Sequence, residues 1–530
     1  TTIDLAPYSS YFSIITTVDS DSLSTGGSDE QENVFLASNY SSFAANTVSS
    51  PDIEFDSANG KITVKATGTY LLVFIPTVTV AGGVGVNARI TRNGSTEVVL
   101  ESLVAFASTD PISATCHRIL DLTAGDYIEL TIAATSTTAI VAQNGTSFTM
   151  LKANGDYASL AQSADGVQGV ANTLEVIGDQ DLAGSGNIAT NLKNITYASA
   201  TGLLTPANTR PFLLLASLLG ESNTTSQETL IGIYADGSII DGGSALIHSG
   251  NDTNEESYGL LKTLTGGETV SGRYNGGSGN KITTKKGTSF SVLDLSNNDG
   301  AGTPSSFISF AVAADSDSQA GGDSNAFDED NWTSYSTTVH SAATNITYTS
   351  NNGTFVVSNS GKYLILWNLF VGTSTHSVER DVKILKNGST VYTTPLMIHT
   401  SFDPDEKTVC VILDADAGDS FTFVVNKLRG KIDNGTSITM VKIDDLEHLN
   451  PFFYDRPSTD LFDDRHAPEA LIADDFTINS FSADGRSVQY NRAGSKQVPF
   501  TLGIPGPLSL RGREGTISEP PIVKPGDKKN

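Results

Sequence analysis

Arg92-Asn93-Gly94-Ser95, Ala235-Asp236-Gly237-Ser238 and Lys386-Asn387-Gly388-Ser389 each close an apolar run and open a second strand-like run. Asn-Gly and Asp-Gly pairs supply the two positive-φ residues of a tight hairpin turn, so each quartet reads as a β-hairpin tip. From the turn glycine, 51, 50 and 47 residues lead to Gly145-Thr-Ser-Phe148, Gly287-Thr-Ser-Phe290 and Gly435-Thr-Ser-Ile438. Looking back 26 or 27 residues reaches Gly68-Thr-Tyr70-Leu71-Leu72, Arg210-Pro-Phe212-Leu213-Leu214 and Gly361-Lys-Tyr363-Leu364-Ile365. Earlier still stand Asp19-Ser-Asp21 and Asp315-Ser-Asp317, with Asp165-Gly166 as the middle counterpart. Successive turn glycines are 143 and 151 residues apart, which makes each repeat a whole domain and not a solenoid unit.

The composition fits that reading. Forty-nine glycines, with dense Ser, Thr and Asn, cut the apolar segments into short pieces, and no window keeps helical periodicity for three turns. The class is all-β. A formal charge of −27 argues against nucleic acid and against an anionic membrane surface as partners. No stretch approaches the roughly 18 apolar residues of a membrane span, and Thr1-Thr-Ile-Asp-Leu5 has neither basic region nor apolar signal core, so synthesis without a signal peptide is expected. Cys116 and Cys410 fall at nearly the same place in repeats one and three. Equivalent positions in separate domains rarely meet, and free, buried thiols are expected.

In repeat one, strands are expected over 11–17, 62–66, 70–80, 87–91, 96–106, 116–122, 126–135 and 147–152. Eight strands in about 150 residues suit a two-sheet jelly roll. The string Gly68-Thr-Tyr70, Asn93-Gly94, Leu122-Thr-Ala-Gly125-Asp126 and Gly145-Thr-Ser-Phe148 resembles the C1q and tumour-necrosis-factor-like jelly-roll modules. Repeat three matches at Gly361-Lys-Tyr363, Asn387-Gly388, Asp416-Ala-Gly418-Asp419 and Gly435-Thr-Ser-Ile438. The middle repeat has Gly266-Gly267-Glu268 in place of the Gly-Asp pair. The expected architecture is three tandem jelly-roll β-sandwich domains, 1–153, 154–297 (divergent) and 298–444, followed by an extended Pro-rich C-terminal arm over 445–530. The resemblance implies modules packed around a three-fold axis through a flat apolar face. Three modules in one chain give either three chains stacked as tiers of a homotrimer or one chain closing on itself, and the homotrimer is preferred.

Residues 451–530 hold nine of the 18 prolines, with Phe452-Phe-Tyr454, Phe462 and Phe500 set among charges and Arg511 near a weakly basic tip. Such a segment favours extended backbone laid on another protein, so Phe452, Phe453, Tyr454, Phe462, Phe500 and Arg511 are the expected anchors. No catalytic motif appears among the seven histidines, and His248 and His399 mark a repeated packing slot. No enzyme is expected, and no cofactor beyond calcium, whose oxygen ligands would be Asp19, Asp21, Asp315 and Asp317 in Gly-rich loops. The expected function is a virion structural or display protein of a tailed phage, of capsid-decoration or fibre type. It would be anchored to capsid or tail proteins by its arm. The alternative is an adhesin whose loops recognise a host-surface glycan or protein.

Overall fold

All three hairpin turns are left-handed at both central residues: φ is 51° and 79° at Asn93 and Gly94, 45° and 78° at Asp236 and Gly237, and 51° and 77° at Asn387 and Gly388. A computed structural model describes residues 10–24, 31–80, 84–104, 111–153, 155–166, 169, 173–180, 187–222, 227–247, 254–275, 281–296, 304–319, 321–373, 378–398, 405–443, 476–481, 487–492 and 500–503. The turn side chains tie each hairpin to the strand beside it. Asn93 Nδ2 donates to Asp126 Oδ1 at 2.6 Å, and its amide oxygen accepts from Tyr127 N at 3.0 Å. Asn387 makes the same pair of bonds with Asp419 and Ser420. In the middle module Asp236 cannot donate, so its carboxylate accepts from Thr269 N and Oγ1 instead. The weaker middle match is therefore a compensated exchange within one motif.

Each module is built on two antiparallel sheets whose main path holds five strands in the same chain order, with short strands added at the side. Module 1 has in addition a separate four-stranded sheet of Ile112–Ser113, Thr77–Val80, Ala139–Ala142 and Leu23–Ser24. In module 3 the inner sheet runs Thr337–Thr344, Phe307–Val312, Ser437–Lys442, Gly361–Thr373, Asp405–Ala415. The outer sheet runs Ile346–Thr349, Thr354–Val357, Ser420–Val425, Val378–Lys386, Ser389–Ile398. Modules 1 and 2 repeat both orders, which is jelly-roll winding. The 13-residue strands Arg210–Ser222 and Gly361–Thr373 correspond in module 1 to Gly68–Ile75 and Thr77–Val80. Pro76 parts them because it has no N–H to give the ladder. The expected strands are all present within a few residues. Those the composition hid are short and polar, such as Ala45–Ser49 and Ile53–Asp56.

The inner sheets are apolar on both faces. Tyr70, Leu72 and Phe74 fill module 1's own core, while Leu71, Val73 and Ile75 join a fourth cluster shared by all three modules. Module 2 adds Leu213, Leu215, Leu261 and Leu293 to that shared cluster, and module 3 adds Leu364, Leu366, Ile412 and Val441. The modules are therefore arranged around one pseudo-three-fold core inside a single chain. The three-fold packing implied by the resemblance is present, but the tiered homotrimer gives way to the self-closed form, because the faces a tier would need are already buried. Plugs reinforce the ring. Leu219 of module 2 lies in the core of module 1, Phe370 of module 3 in that of module 2, and Ile15 of module 1 in that of module 3.

Cys116 and Cys410 are free and buried, as expected. Their places are one register step apart: Cys116 faces its module core and Cys410 the shared core. Within the stretch expected as an extended arm, three short strands are described. Phe476–Phe481, Ser487–Arg492 and Phe500–Gly503 pair as an antiparallel meander, and residues 1–8 with 447–530 form a unit of their own, apart from Ser9–Leu446.

A self-closed ring has a native mass near 55.7 kDa, the mass of one chain. Mass photometry or native mass spectrometry checks this, and a truncated chain ending after Leu446 should also be a one-chain species.

Candidate functional site

The strands Cys116–Leu122, Asn254–Leu264 and Asp405–Ala415 are the edges of their inner sheets, so their outward backbone groups have no ladder partner. The neighbouring module supplies one. Ile119 N donates to Ser159 Oγ at 3.2 Å, Leu261 N to Ser309 Oγ at 3.2 Å, and Ile412 N to Ser13 Oγ at 3.1 Å. Each serine is paired with a hydroxyl on its sheet, Ser13 with Thr149, Ser159 with Ser291 and Ser309 with Thr439. Ser341 and Asn191 return bonds to the carbonyls of Leu261 and Ile119.

The Gly-Thr-Ser blocks are part of the same closure. The hydroxyls of Thr146, Thr288 and Thr436 each bridge the N–H and C=O of one residue, Thr77, Leu219 and Phe370. Gly145, at φ +79°, lies so close to module 3 that a Cβ would stand 2.4 Å from Thr393 O. Gly435, at φ +83°, stands likewise against module 2, with a Cβ position 2.2 Å from Gly242 O. Gly435→Ala is expected to destabilise the protein by about 3 kcal/mol, since it adds left-handed strain to a backbone clash. A urea titration would read this as a lowered midpoint.

Along the axis the modules differ. His117, Gly259 and Cys410 occupy equivalent places, as do Thr115, Ser257 and Thr408. His117 is fully buried, with Nδ1 3.0 Å from Ser291 Oγ and Nε2 3.1 Å from Ser289 Oγ, and burial pushes its pKa down to about 3. Ser257 Oγ lies 3.0 Å from Thr115 Oγ1, 2.8 Å from Thr408 Oγ1 and 3.0 Å from Glu406 Oε1. Glu255 accepts from Ser217 Oγ at 2.7 Å, and burial followed by the Glu406 charge holds its pKa well above the carboxylate range. Burial raises the pKa of Glu406 too. Beside this pair Lys407, fully buried, donates to Thr77 Oγ1 at 2.8 Å, and burial lowers its pKa to about 7. His340 Nε2 lies 2.6 Å from Asp241 Oδ2 at the junction of modules 2 and 3.

Because the folded state keeps His117 neutral, acid destabilises through it. The contribution is complete above about pH 6.5 and falls as pH drops toward 3, at up to ~1.4 kcal/mol per pH unit. His117→Gln removes that dependence. The stability difference between wild type and variant should shift against wild type by about 3 kcal/mol between pH 7 and 4, read by denaturant titration at each pH.

The four acidic residues named for calcium each hold a turn. Asp19 Oδ1 accepts from Asn144 N and Asp315 Oδ1 from Asn434 N, and Asp165 of module 2 does the same for Lys286 N. Asp21 accepts from Ser41 Oγ, and Asp317 from Thr333 Oγ1. Among the described residues no group of three His, Cys, Asp or Glu side chains gathers as a metal cluster. His117 faces the junction while Cys116 faces the core, so the adjacent pair shares no face. His248, His399, Phe452, Phe453, Tyr454, Phe462 and Arg511 lie outside the described residues, and Phe500 opens the strand Phe500–Gly503.

A feature missed in the sequence is a cleft between modules 1 and 2, of about 250 Å³, lined by Thr96, Glu97, Arg118, Gln162, Lys286 and Gly287 among others. Arg118 Nη1 donates to Glu97 O, and the Glu97 carboxylate pairs with Arg92 Nη2 at 2.6 Å. Gly287, the third glycine of the Gly-Thr-Ser set, lines this opening. The signal available was Arg118 at the place where the equivalent strands carry Leu260 and Val411.

No family model and no curated protein matches the chain. Among solved structures, murine APRIL at pH 5.0 is similar over 27% of this chain and 99% of its own, at 16% identity and TM-score 0.21. Pika GITRL is similar over 25% and 96%, at 13% identity and TM-score 0.17. An archaeal virus protein described by its triple jelly-roll fold and turret assembly is similar over 81% and 89%, at 10% identity and TM-score 0.16. The jelly-roll assignment itself rests on the strand order.

Proposed function

We propose that this protein is a virion structural or display protein of tailed-phage type, in which a closed body of three jelly rolls is carried on the particle by the residues after 444. One observation carries the reading. The inner faces of all three modules are used up in a common core, so the body is complete within one chain and the proline-rich stretch is left for attachment. Phe452, Phe453, Tyr454, Phe462, Phe500 and Arg511 would dock on capsid or tail proteins, aromatic groups supplying buried area and Arg511 a charge-assisted contact. A homotrimer, in this reading, is one of closed rings joined on the particle, through outer surfaces or through the C-terminal stretch, while the free protein is a one-chain species. The reading includes no catalytic step. A second reading, an adhesin or receptor-binding protein, is favoured by the cleft between modules 1 and 2.

Truncation after Leu446 should leave the body folded and remove it from particles. The check is mass spectrometry of particles produced where only the shortened copy is supplied. Full incorporation of the truncated chain would overturn the attachment reading.

A further inference from the structure

Arg118 occupies a place that the other two modules fill with core residues. The ladders put Arg118, Leu260 and Val411 opposite Leu72, Leu214 and Ile365, and Leu260 and Val411 are fully buried in their module cores. A guanidinium there loses hydration, and burial is the main cause that lowers its pKa, so its presence calls for a compensating partner. Glu97 compensates it in part, its backbone carbonyl accepting from Arg118 Nη1 and its charge opposing the effect of burial, while the Glu97 carboxylate itself is paired with Arg92. Lys286 is the second departure: modules 1 and 3 carry Asn144 and Asn434 at that position. Both basic residues that line the cleft are therefore peculiar to this junction, on a chain of net charge −27.

At the other two junctions the corresponding glycines, Gly145 and Gly435, are packed against the neighbour's backbone. Here Gly287 lines the cleft. The remaining lining is small and polar, with Thr96, Gln162 and Ser163 beside two alanines, Ala161 and Ala189. Among the described residues the lining has no aromatic or large aliphatic anchor for a peptide side chain. The volume of about 250 Å³ falls below the roughly 300–1,000 Å³ of drug-sized sites and admits a single ring.

We propose that the cleft between modules 1 and 2 binds the carboxylate-bearing ring of an acidic glycan, with Arg118 forking the carboxylate, Lys286 adding charge, and Gln162, Ser163 and Thr96 meeting ring hydroxyls. Planar two-point recognition of a carboxylate is what a guanidinium does best. The inference deepens the adhesin reading and takes its biological setting from it, while the binding itself stands separately.

The experiment presents the full chain to an array of sialylated, uronic-acid-bearing and neutral glycans, then titrates the free monosaccharides by NMR. Wild type is expected to bind acidic glycans and not their neutral or carboxyl-reduced forms. Arg118→Leu installs the residue type of the middle module, so it should fold at least as well as wild type and lose about tenfold or more in binding; Arg118→Lys should recover part of it. The proposal is overturned if no acidic glycan binds, if Arg118→Leu binds as well as wild type, or if an acidic peptide or inorganic phosphate binds as tightly as the sugar. If glycan binding holds while the protein fails to attach to cells, the adhesin reading falls and the site remains.

Discussion

The whole structure depends on one constraint: the inner sheet of each module is apolar on both faces and has an edge strand with unpaired backbone groups. A sandwich of two sheets covers only one of those faces. Three copies in a cycle cover the other, and the same contact satisfies each edge, as Ser13, Ser159 and Ser309 accept from the amides of Ile412, Ile119 and Leu261. Burial and hydrogen bonding therefore select the same arrangement. An isolated module would present Leu71, Val73 and Ile75, or their counterparts, to water as a contiguous patch.

The three junctions share this scheme and differ in its details. Where module 1 offers Thr77 to module 3, the other junctions insert Leu219 and Phe370, and the polar junction carries the buried Lys407 and Thr394. The first junction has His117 between two serine hydroxyls, and the second has the His340 and Asp241 pair. Buried polar groups of this kind contribute little net stability and penalise wrong neighbours, because a misplaced partner leaves them unsatisfied. They give each module one suitable neighbour on each side.

Most of the fold was legible because it is written in turns. Asn93-Gly94 and Asn387-Gly388 demand positive φ, and their side chains reach the aspartates of the Gly-Asp pairs, so the two landmarks had to recur together. Gly145 and Gly435 of the Gly-Thr-Ser blocks were legible as landmarks and not as closure elements, since the backbone they pack against belongs to another module. Self-closure left a trace in runs such as Tyr70 to Ile75 and Leu213 to Leu219, which lack the apolar-polar alternation of a half-exposed sheet. Polar strands such as Ala45–Ser49 gave no periodic signal, whereas Phe476 to Tyr490 reads as a small β-element and holds the first strand of the meander and most of the second. The cleft was the least legible part, because Arg118 is anomalous only once the three ladders are aligned.

Joining the three modules in one chain has a further consequence for the axis. In an assembly of identical subunits any residue at the centre is present three times, and a histidine or a buried glutamate would face copies of itself. Here the places equivalent to His117 hold Gly259 and Cys410, so the imidazole is accommodated once and smaller side chains stand at the other two positions. The tethers also hold the modules at high effective concentration, so the assembled form does not depend on how dilute the protein becomes.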